Sequence, residues 1–158
     1  MESQHRALEL LLVDDAQHDL DAQRRTLESC KLLNPVHTFC NVEEAMAFLR
    51  QPRNGGEAPR YLMFLNLVMK PVDGLDLLRA IKQENLAPGS VFVMLSGLTD
   101  TKMLHEGYQL GAHTFLIKPL TLQDVMGLLN TLKHSIGVES EPNGNRLTWL
   151  RPAEVLKR

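Results

Sequence analysis

Residues 61–74 read YLMFLNLVMKPVDG, and the predicted fold is organised around this stretch. It begins as a short unbroken apolar run, which is typical of a central parallel strand buried on both faces. The run ends on Asn66, a tight connection follows, and apolar residues at helical spacing after Gly74 predict a helix. Ligands of open α/β sheets bind beyond the carboxyl ends of the strands. Asn66 is therefore at a position where a binding or catalytic side chain is expected.

The rest of the chain repeats this alternation of strand and helix. Further strands are predicted at 8–13, 36–40, 91–95 and 113–117. The remaining helices are predicted to start near Asp19, at Asn41 as an N-cap, at Thr99 or Asp100, and at Thr121 as an N-cap, while the helix after Gly74 runs to about Leu86. Five such units predict an α/β protein, a flavodoxin-like (βα)5 doubly wound parallel sheet with strand order 2-1-3-4-5 and right-handed crossovers.

The length of 158 residues predicts one main domain with some chain to spare. We expect the α/β domain to occupy residues 1–137. Residues 138–158 then form a C-terminal tail or linker, and the polar stretch 138–145 in it is predicted to be a linker or a turn. Three arrangements are open for this tail around Trp149. It packs on the domain, it contacts a partner, or it begins a further segment.

Composition excludes several classes of function. The net charge is −2 and the isoelectric point is about 6.3, so we expect no nucleic-acid partner and no membrane partner. No apolar run approaches the roughly 18 residues of a membrane span, and the N-terminus lacks the apolar stretch of a secretory signal, so a cytoplasmic location is expected. Cys30 and Cys40 are predicted to be buried reduced thiols. The six histidines have no spacing that favours a zinc site.

Polar side chains stand at the end of four predicted strands. They are Asp14 and Asp15 after the first, Asn66 at the third, Ser96 after the fourth and Lys118 after the fifth. Because carboxyl ends of parallel strands meet at one edge of a sheet, these groups are predicted to share one crevice. Two adjacent carboxylates suit Mg²⁺, while a hydroxyl and an ammonium can hold phosphoryl oxygens. Pro119, after Lys118, predicts an unusual turn that a cis peptide bond can form.

This set of residues resembles the receiver domains of two-component response regulators over roughly residues 7–135. The matching motifs are Leu-Val-Asp14-Asp15, Asn66 with Asp73-Gly74, Leu95-Ser96-Gly97, and Gly111-Ala112 with Phe115-Leu116-Ile117-Lys118-Pro119. The chain looks most like the single-domain receivers associated with phytochromes and similar sensor kinases. The resemblance implies a receiver-like domain at 1–137 that acts in signalling and is not an enzyme.

The resemblance also implies a role for each pocket residue. Asp14, Asp15 and the backbone carbonyl of Val68 would bind Mg²⁺. Residue 66 would be the position that accepts phosphate from a histidine kinase, with Ser96 and Lys118 touching the phosphoryl group. Phe115 would be the aromatic that changes rotamer on activation.

The sequence departs from the family pattern at residue 66, which is asparagine. A carboxylate can attack a phosphoryl donor, but a carboxamide is neutral and its nitrogen lone pair is delocalised, so Asn66 is predicted not to be phosphorylated. A second departure is Lys70, which separates Met69 from Pro71.

The asparagine also changes the charge of the predicted pocket. Asp14 and Asp15 against Lys118 give a local charge of −1, where a third carboxylate would give −2. Mg²⁺ is therefore expected to bind weakly if it binds. Asn66 is expected to accept a hydrogen bond from Lys118 through its amide oxygen.

The predicted function is a receiver-like interaction module whose output does not depend on phosphorylation. Its expected partners are a sensor histidine kinase or another signalling protein. Apolar residues on helix 4, strand 5 and helix 5 suggest a homodimer through that face, with an apolar monomeric surface as the alternative; they are Met103, Leu104, Tyr108, Leu122, Met126, Leu128 and Leu132.

Three rival functions are weighed against this one. The first is a conventional phospho-acceptor receiver in which a natural or engineered Asp-to-Asn change at residue 66 traps the inactive state. The second is a flavodoxin-like binder of a flavin or nucleotide, which the lack of a glycine-rich first loop disfavours. The third is a DNA-binding regulator, disfavoured by the acidic charge and by the short chain after the α/β pattern.

Overall fold

A computed structural model of the protein describes residues 8–52, 59–97 and 101–150. The strands of the main sheet are β1 (Leu8–Val13), β2 (Val36–Phe39), β3 (Arg60–Asn66), β4 (Val91–Ser96) and β5 (Thr114–Ile117). The helices are α1 (Gln17–Ser29), α2 (Val42–Arg50), α3 (Gly74–Gln83), α4 (Thr101–Gln109) and α5 (Leu122–Thr131). Two further strands follow, β6 (Ile136–Glu141) and β7 (Gly144–Trp149).

The five-stranded sheet is parallel with the order β2-β1-β3-β4-β5, which confirms the predicted fold class and strand order. Six of the seven residues of β3 and all of β4 are buried, as continuous apolar runs in a sheet covered on both faces should be. Alternate residues of β3 feed two separate cores. Phe64 packs with α1 and α5, whereas Met63 and Leu65 pack with α2 and α3.

The predicted helix caps agree with the structure wherever both can be compared. Asn41 accepts a hydrogen bond from the Glu44 N–H at 2.8 Å, and Thr121 forms a reciprocal capping box with Asp124. Helix α1 begins at Gln17, slightly earlier than predicted, and it has no side-chain cap. The predicted caps at 99 or 100 lie outside the described residues.

Helix α3 ends at Gln83, three residues before the predicted Leu86. The chain then adopts a left-handed conformation at Asn85, with φ of 52°. Asparagine tolerates this conformation better than most residues, and it ends the helix.

Strands β6 and β7 form an antiparallel hairpin, so residues 138–145 are not a linker, and the predicted turn lies at residues 142–143 between two strands that were not predicted. Residue 137, the predicted domain boundary, lies inside β6. Ile136, Leu147 and Trp149 are buried in the same core as α1 and α5. Because large apolar side chains contribute about 1.5–3 kcal/mol each on burial, this hairpin is a structural part of the domain.

Asn34 and Arg60 attach the hairpin to the sheet. The Asn34 side chain donates to the Leu8 and Leu147 carbonyls, both at 2.9 Å, and accepts from the Leu147 N–H at 2.8 Å. The Arg60 guanidinium lies 4.1 Å from the centre of the Trp149 ring, in cation–π geometry. These contacts hold the described part of the tail, residues 138–150, against the α/β domain.

Both cysteines are free thiols, as predicted. The expectation of burial is wrong for Cys40, which is exposed because it lies just beyond the end of β2. Cys30 is half-buried, and this burial raises its pKa. None of the helices in the described ranges is long and apolar enough to cross a membrane.

Candidate functional site

The predicted site residues lie at the carboxyl edge of the sheet. Asp14 follows β1, Asn66 ends β3, Ser96 ends β4 and Lys118 follows β5. The parallel register of these strands brings Asp14, Asn66 and Lys118 into one hydrogen-bonded cluster. Ser96 is buried beside it, and its carbonyl accepts from the Lys118 N–H at 2.8 Å.

Asp14 is the centre of this cluster. Its side chain is fully buried, and both carboxylate oxygens are occupied by donors. The Ala16 N–H and Asn66 Nδ2 donate to Oδ1 at 3.0 and 3.3 Å, respectively. Gln23 Nε2 donates to Oδ2 at 3.0 Å, and the Lys118 ammonium lies 2.6 Å from the same oxygen. A buried carboxylate needs such partners, because an unpaired charge in the interior costs several kcal/mol.

The side-chain nitrogen of Asn66 faces oxygen atoms on three sides. Nδ2 lies 2.8 Å from the Val68 carbonyl oxygen, 3.3 Å from Asp14 Oδ1 and 3.4 Å from Asp15 Oδ1. The opposite amide orientation would place a carbonyl oxygen against three acceptors, so these surroundings determine which end of the amide points inward. Asp15 itself is exposed, and the side chain of Val68 points to solvent.

Lys118 is held between two carboxylates, at 2.6 Å from Asp14 Oδ2 and 2.9 Å from Asp19 Oδ2. The expected hydrogen bond from Lys118 to the Asn66 amide oxygen is therefore wrong, because the ammonium is bound to these two charged partners. Partial burial lowers the pKa of Lys118, but the hydrogen bonds and charges of Asp14 and Asp19 outweigh this, so its pKa lies above the ordinary value. The Lys118–Pro119 peptide bond is cis, as the sequence suggested.

Two residues of α1 belong to the site but were missed from the sequence. Asp19 lies in the first turn of the helix, where the hydrogen bond from Lys118 holds its pKa below the usual value. Three carboxylates, Asp14, Asp15 and Asp19, thus share the pocket with one ammonium, which makes the local charge −2 rather than the predicted −1.

The second missed residue is Gln23, which is buried and holds Asp14 through its amide nitrogen. Among the residues that the structure describes, its Oε1 has no hydrogen-bond partner. Gln23 also lines a small cleft of about 220 Å³ beside Lys118 and Pro119. Its spacing from Asp14 gives no sequence signal, because the contact depends on how α1 packs across the end of β1.

The loop between β3 and α3 is shaped by Gly74. A Cβ at this position would lie 2.2 Å from the Asn66 carbonyl oxygen, so the close return of the chain requires glycine. The Gly74 N–H donates to the Leu67 carbonyl at 2.9 Å and closes the loop. Within it, the Lys70–Pro71 peptide bond is also cis. The loop places the Val68 carbonyl oxygen 2.8 Å from Asn66 Nδ2.

Phe115 lies on β5 and is half-buried in the core on the α3 side of the sheet. Its ring centre is 5.2 Å from that of Tyr108. A Cβ on Gly107 would lie 2.4 Å from Phe115 Cζ, so glycine in α4 leaves the space that the ring occupies. Phe115 is thus directed inward beneath α4.

The face formed by α4, β5 and α5 carries several exposed apolar side chains. Tyr108 is 51% exposed, Ile117 is 50% exposed and Met126 is 61% exposed. Leu122 is also exposed, whereas Met103, Leu104 and Leu132 are half-buried. Leu128 was predicted to belong to the surface set, but it is buried in the core.

A parallel 2-1-3-4-5 sheet with an acidic pocket at the ends of its strands defines a flavodoxin-like α/β domain of the kind seen in CheY proteins. The chain belongs to the response regulator receiver domain family, which it matches over residues 10–130. It is a receiver domain of two-component signalling. Receiver domains are signalling modules that are generally not enzymes, commonly bind Mg²⁺ in the acidic pocket, and interact with kinases and other signalling proteins.

Individual relatives show the extent of the likeness. The two-component response regulator ORR1 of Oryza sativa subsp. japonica is 30% identical over 133 residues, which are 82% of this chain and 57% of the rice protein. The chain therefore spans little more than half the length of that relative. The solved bacteriophytochrome response regulator AtBRR is 27% identical, with a TM-score of 0.67 and coverage of 81% of this chain and 93% of that one. The bacteriophytochrome response regulator RtBRR has a TM-score of 0.71 at 23% identity, covering 87% of this chain and 84% of that one, and shows the fold alone.

Proposed function

We propose that this chain is a receiver that does not accept phosphate at residue 66 and that signals by binding other proteins. The observation that carries the proposal is the identity of the side chain at the end of β3, a carboxamide whose nitrogen faces the pocket. An acyl phosphate forms when a carboxylate oxygen attacks phosphorus. Asn66 offers no carboxylate, and the lone pair of its amide nitrogen is delocalised into the carbonyl group, so the side chain is a very poor nucleophile.

The contacts of Lys118 also support a pocket whose side chains keep one fixed arrangement. Lys118, which would touch a phosphoryl group in a phosphorylated receiver, is bound to Asp14 and Asp19. Charge-assisted hydrogen bonds of this kind are roughly twice as strong as neutral ones, so releasing the ammonium is unfavourable. Mg²⁺ would bind weakly here, because the pocket has lost one carboxylate ligand in the pattern that the family resemblance implies.

The output we propose is protein binding, with a sensor histidine kinase or another cytoplasmic signalling protein as the partner. The exposed apolar face of α4, β5 and α5 is the surface we assign to partner binding and to a homodimer, since Tyr108, Ile117 and Met126 lie exposed on neighbouring elements there. A folded receiver whose pocket takes no phosphate can still bind a partner through this face. We propose no nucleic-acid or membrane partner.

A second candidate function has its own support. It is supported by Asp14, Asp15, Ser96, Lys118 and Phe115, which lie on or beside the strand ends and to which the family resemblance gives the roles of a conventional phospho-acceptor receiver. An Asp-to-Asn change at residue 66 in such a protein would leave the remaining pocket as it is here and trap the unphosphorylated state.

Treatment with a small phosphoryl donor tests both candidates. The natural chain, Asn66→Asp and the matched carboxamide Asn66→Gln are incubated with acetyl phosphate and Mg²⁺, and covalent phosphate is measured by intact mass. We expect no phosphate on the natural chain or on Asn66→Gln, and phosphate on the natural chain would contradict the proposal. Phosphorylation of Asn66→Asp supports the second candidate, whereas an inert Asn66→Asp counts against it.

A further inference from the structure

We propose that the amide nitrogen of Asn66 takes the place of a divalent cation in the acidic pocket, so that the pocket is complete without metal. The inference rests on the proposed function in treating residues 14, 15 and 66 as a receiver pocket. It adds a mechanism for the pocket's independence of metal, and it is tested by metal binding rather than by phosphorylation.

The first observation is the convergence of three oxygens on one nitrogen. Asp14 Oδ1, Asp15 Oδ1 and the Val68 carbonyl oxygen all lie within 3.4 Å of Asn66 Nδ2. Carboxylate and carbonyl oxygens are hard ligands, and Mg²⁺ would require them at about 2.0–2.1 Å in an octahedron. An ion bound to these oxygens would compete with the NH₂ group for the same acceptor atoms. The residues as arranged therefore do not fit Mg²⁺.

The geometry of the amide explains how one neutral group serves three acceptors. An NH₂ group has two N–H donors. The short contact of 2.8 Å to the Val68 carbonyl uses one of them, and the two longer contacts, 3.3 and 3.4 Å, share the other between Asp14 and Asp15. The amide thus draws the same oxygens together that a cation would, with partial rather than full positive charge.

The second observation is that Asp14 has no acceptor site left. A carboxylate offers about four lone-pair positions, and Asp14 receives one donor at each. The donors are the Ala16 N–H, Asn66 Nδ2, Gln23 Nε2 and the Lys118 ammonium. A metal ion would have to displace one of these four donors before it could bind Asp14. Within the described part of the chain, no group of three or more His, Cys, Asp or Glu side chains is placed to hold a metal ion.

The net charge of the pocket distinguishes replacement of the metal by the amide from a weaker electrostatic attraction of the metal. Asp14, Asp15 and Asp19 against Lys118 leave the pocket negative, so cations are still attracted to it. If the lack of a carboxylate at residue 66 alone weakens metal binding, removing the amide should change nothing. If the amide occupies the position, removing it should open the site.

Thermal unfolding of three chains, each in EDTA and in excess Mg²⁺, tests this distinction. Asn66→Ala removes the amide without adding charge, and Asn66→Asp replaces it with a carboxylate of the same shape. The natural chain should unfold at the same temperature in both buffers. Asn66→Ala should unfold at a lower temperature in EDTA and rise by about 3–6 °C when Mg²⁺ is at about ten times its dissociation constant. Asn66→Asp should show the largest rise.

Two results of these melts would overturn the inference. A natural chain stabilised by Mg²⁺ as much as Asn66→Ala overturns the inference, and so does an Asn66→Ala chain that ignores Mg²⁺ while Asn66→Asp responds. Should Asn66→Ala fail to fold, Asn66→Ser, which also removes the amide without adding charge, takes its place, and Mn²⁺-induced line broadening of the residue 15 and 68 amide signals is compared with that of the natural chain. Broadening is expected in Asn66→Ser and not in the natural chain, whereas saturable broadening in the natural chain, or none in Asn66→Ser, would refute metal replacement. A natural chain that binds metal yet takes no phosphate would leave the proposed function standing while this inference fails.

Discussion

The pocket at the carboxyl edge of the sheet and the face of α4, β5 and α5 differ in how completely their groups are satisfied. In the pocket, Asp14 is fully buried and receives four donors, and Lys118 is bound to two carboxylates. On the face, Tyr108 and Ile117 are each about half exposed. The charged groups of the pocket are paired with one another, whereas the face of α4, β5 and α5 leaves apolar surface that another molecule can cover. This contrast favours a receiver whose role is in contacts rather than in chemistry at the pocket.

The largest effect is expected from breaking the charge pairing of the pocket. Lys118→Met should lower the free energy of unfolding by about 3 kcal/mol, because it leaves the buried Asp14 carboxylate without its ammonium partner. Urea denaturation measures this change. Lys133→Met, at an exposed lysine, is the matched control and should change stability by less than about 0.5 kcal/mol. Equal effects from the two variants would mean that the pocket is not held by this ion pair.

A smaller effect is expected at Gly107, where α4 packs against the Phe115 ring of β5. Gly107→Ala should cost about 1–3 kcal/mol, since the new Cβ would lie 2.4 Å from Phe115 Cζ and the ring would have to move. Gly127→Ala in α5 is the control, because nothing lies within 4 Å of its Cβ position. It should stabilise the helix by about 0.5–1 kcal/mol. Unfolding curves that place both variants on the same side of the natural chain would contradict the packing described here.

The dependence of folding stability on pH tests the contributions of Asp19 and Lys118 to the pocket. Because the Lys118 hydrogen bond lowers the pKa of Asp19 from its ordinary 3.8, the folded state favours the ionised carboxylate. This contribution is complete above pH 3.8 and is lost as pH falls through the lowered pKa. Lys118, whose pKa is raised above 10.5, contributes below that pH and loses its contribution as pH rises further.

Asp19→Asn should therefore flatten the loss of stability below pH 4, by less than about 1 kcal/mol because Asp19 is partly exposed. Denaturant melts from pH 2 to 7 measure the slope. Asp21→Asn, at an exposed carboxylate on the same helix, should leave that slope nearly unchanged. A steeper acid slope in Asp19→Asn would show that the carboxylate does not stabilise the folded chain.

The smallest effect on stability is expected at the exposed face. Tyr108→Ser combined with Ile117→Ser should change the free energy of unfolding by about 0.5 kcal/mol or less. The same change should shift a self-associating chain towards monomer in sedimentation velocity. Val72→Ser, at an exposed apolar residue on the loop between β3 and α3, is the control and should leave association unchanged. A natural chain that is monomeric at every concentration would exclude the homodimer.

The fold was predictable because its central strands are unbroken apolar runs, and a run such as 61–65 can be buried in only a few ways. The hairpin was missed because β6 is mostly polar, with Glu139, Ser140 and Glu141 exposed or half-exposed, so its strand character comes from pairing with β7 rather than from composition. The stretch predicted to be a linker or a turn does contain Asn143-Gly144, which is a common hairpin turn signal.

The site was predicted less completely than the fold. Residues at strand ends could be named from the sequence, because parallel strands place them together. Asp19 and Gln23 could not, since their roles depend on which face of α1 packs over the end of β1. The amide orientation of Asn66 was also beyond sequence reasoning, as it follows from the three oxygens around it.

The measurement that tests the central claim most directly is an amide NMR titration of the natural chain, first with Mg²⁺ and then with beryllofluoride, which mimics an aspartyl phosphate. We predict that the signals of Asn66, Ser96, Phe115 and Lys118 stay in place through both additions. A saturable shift that reaches Phe115 when beryllofluoride is added would contradict the claim, because the pocket would then still transmit a phosphoryl signal.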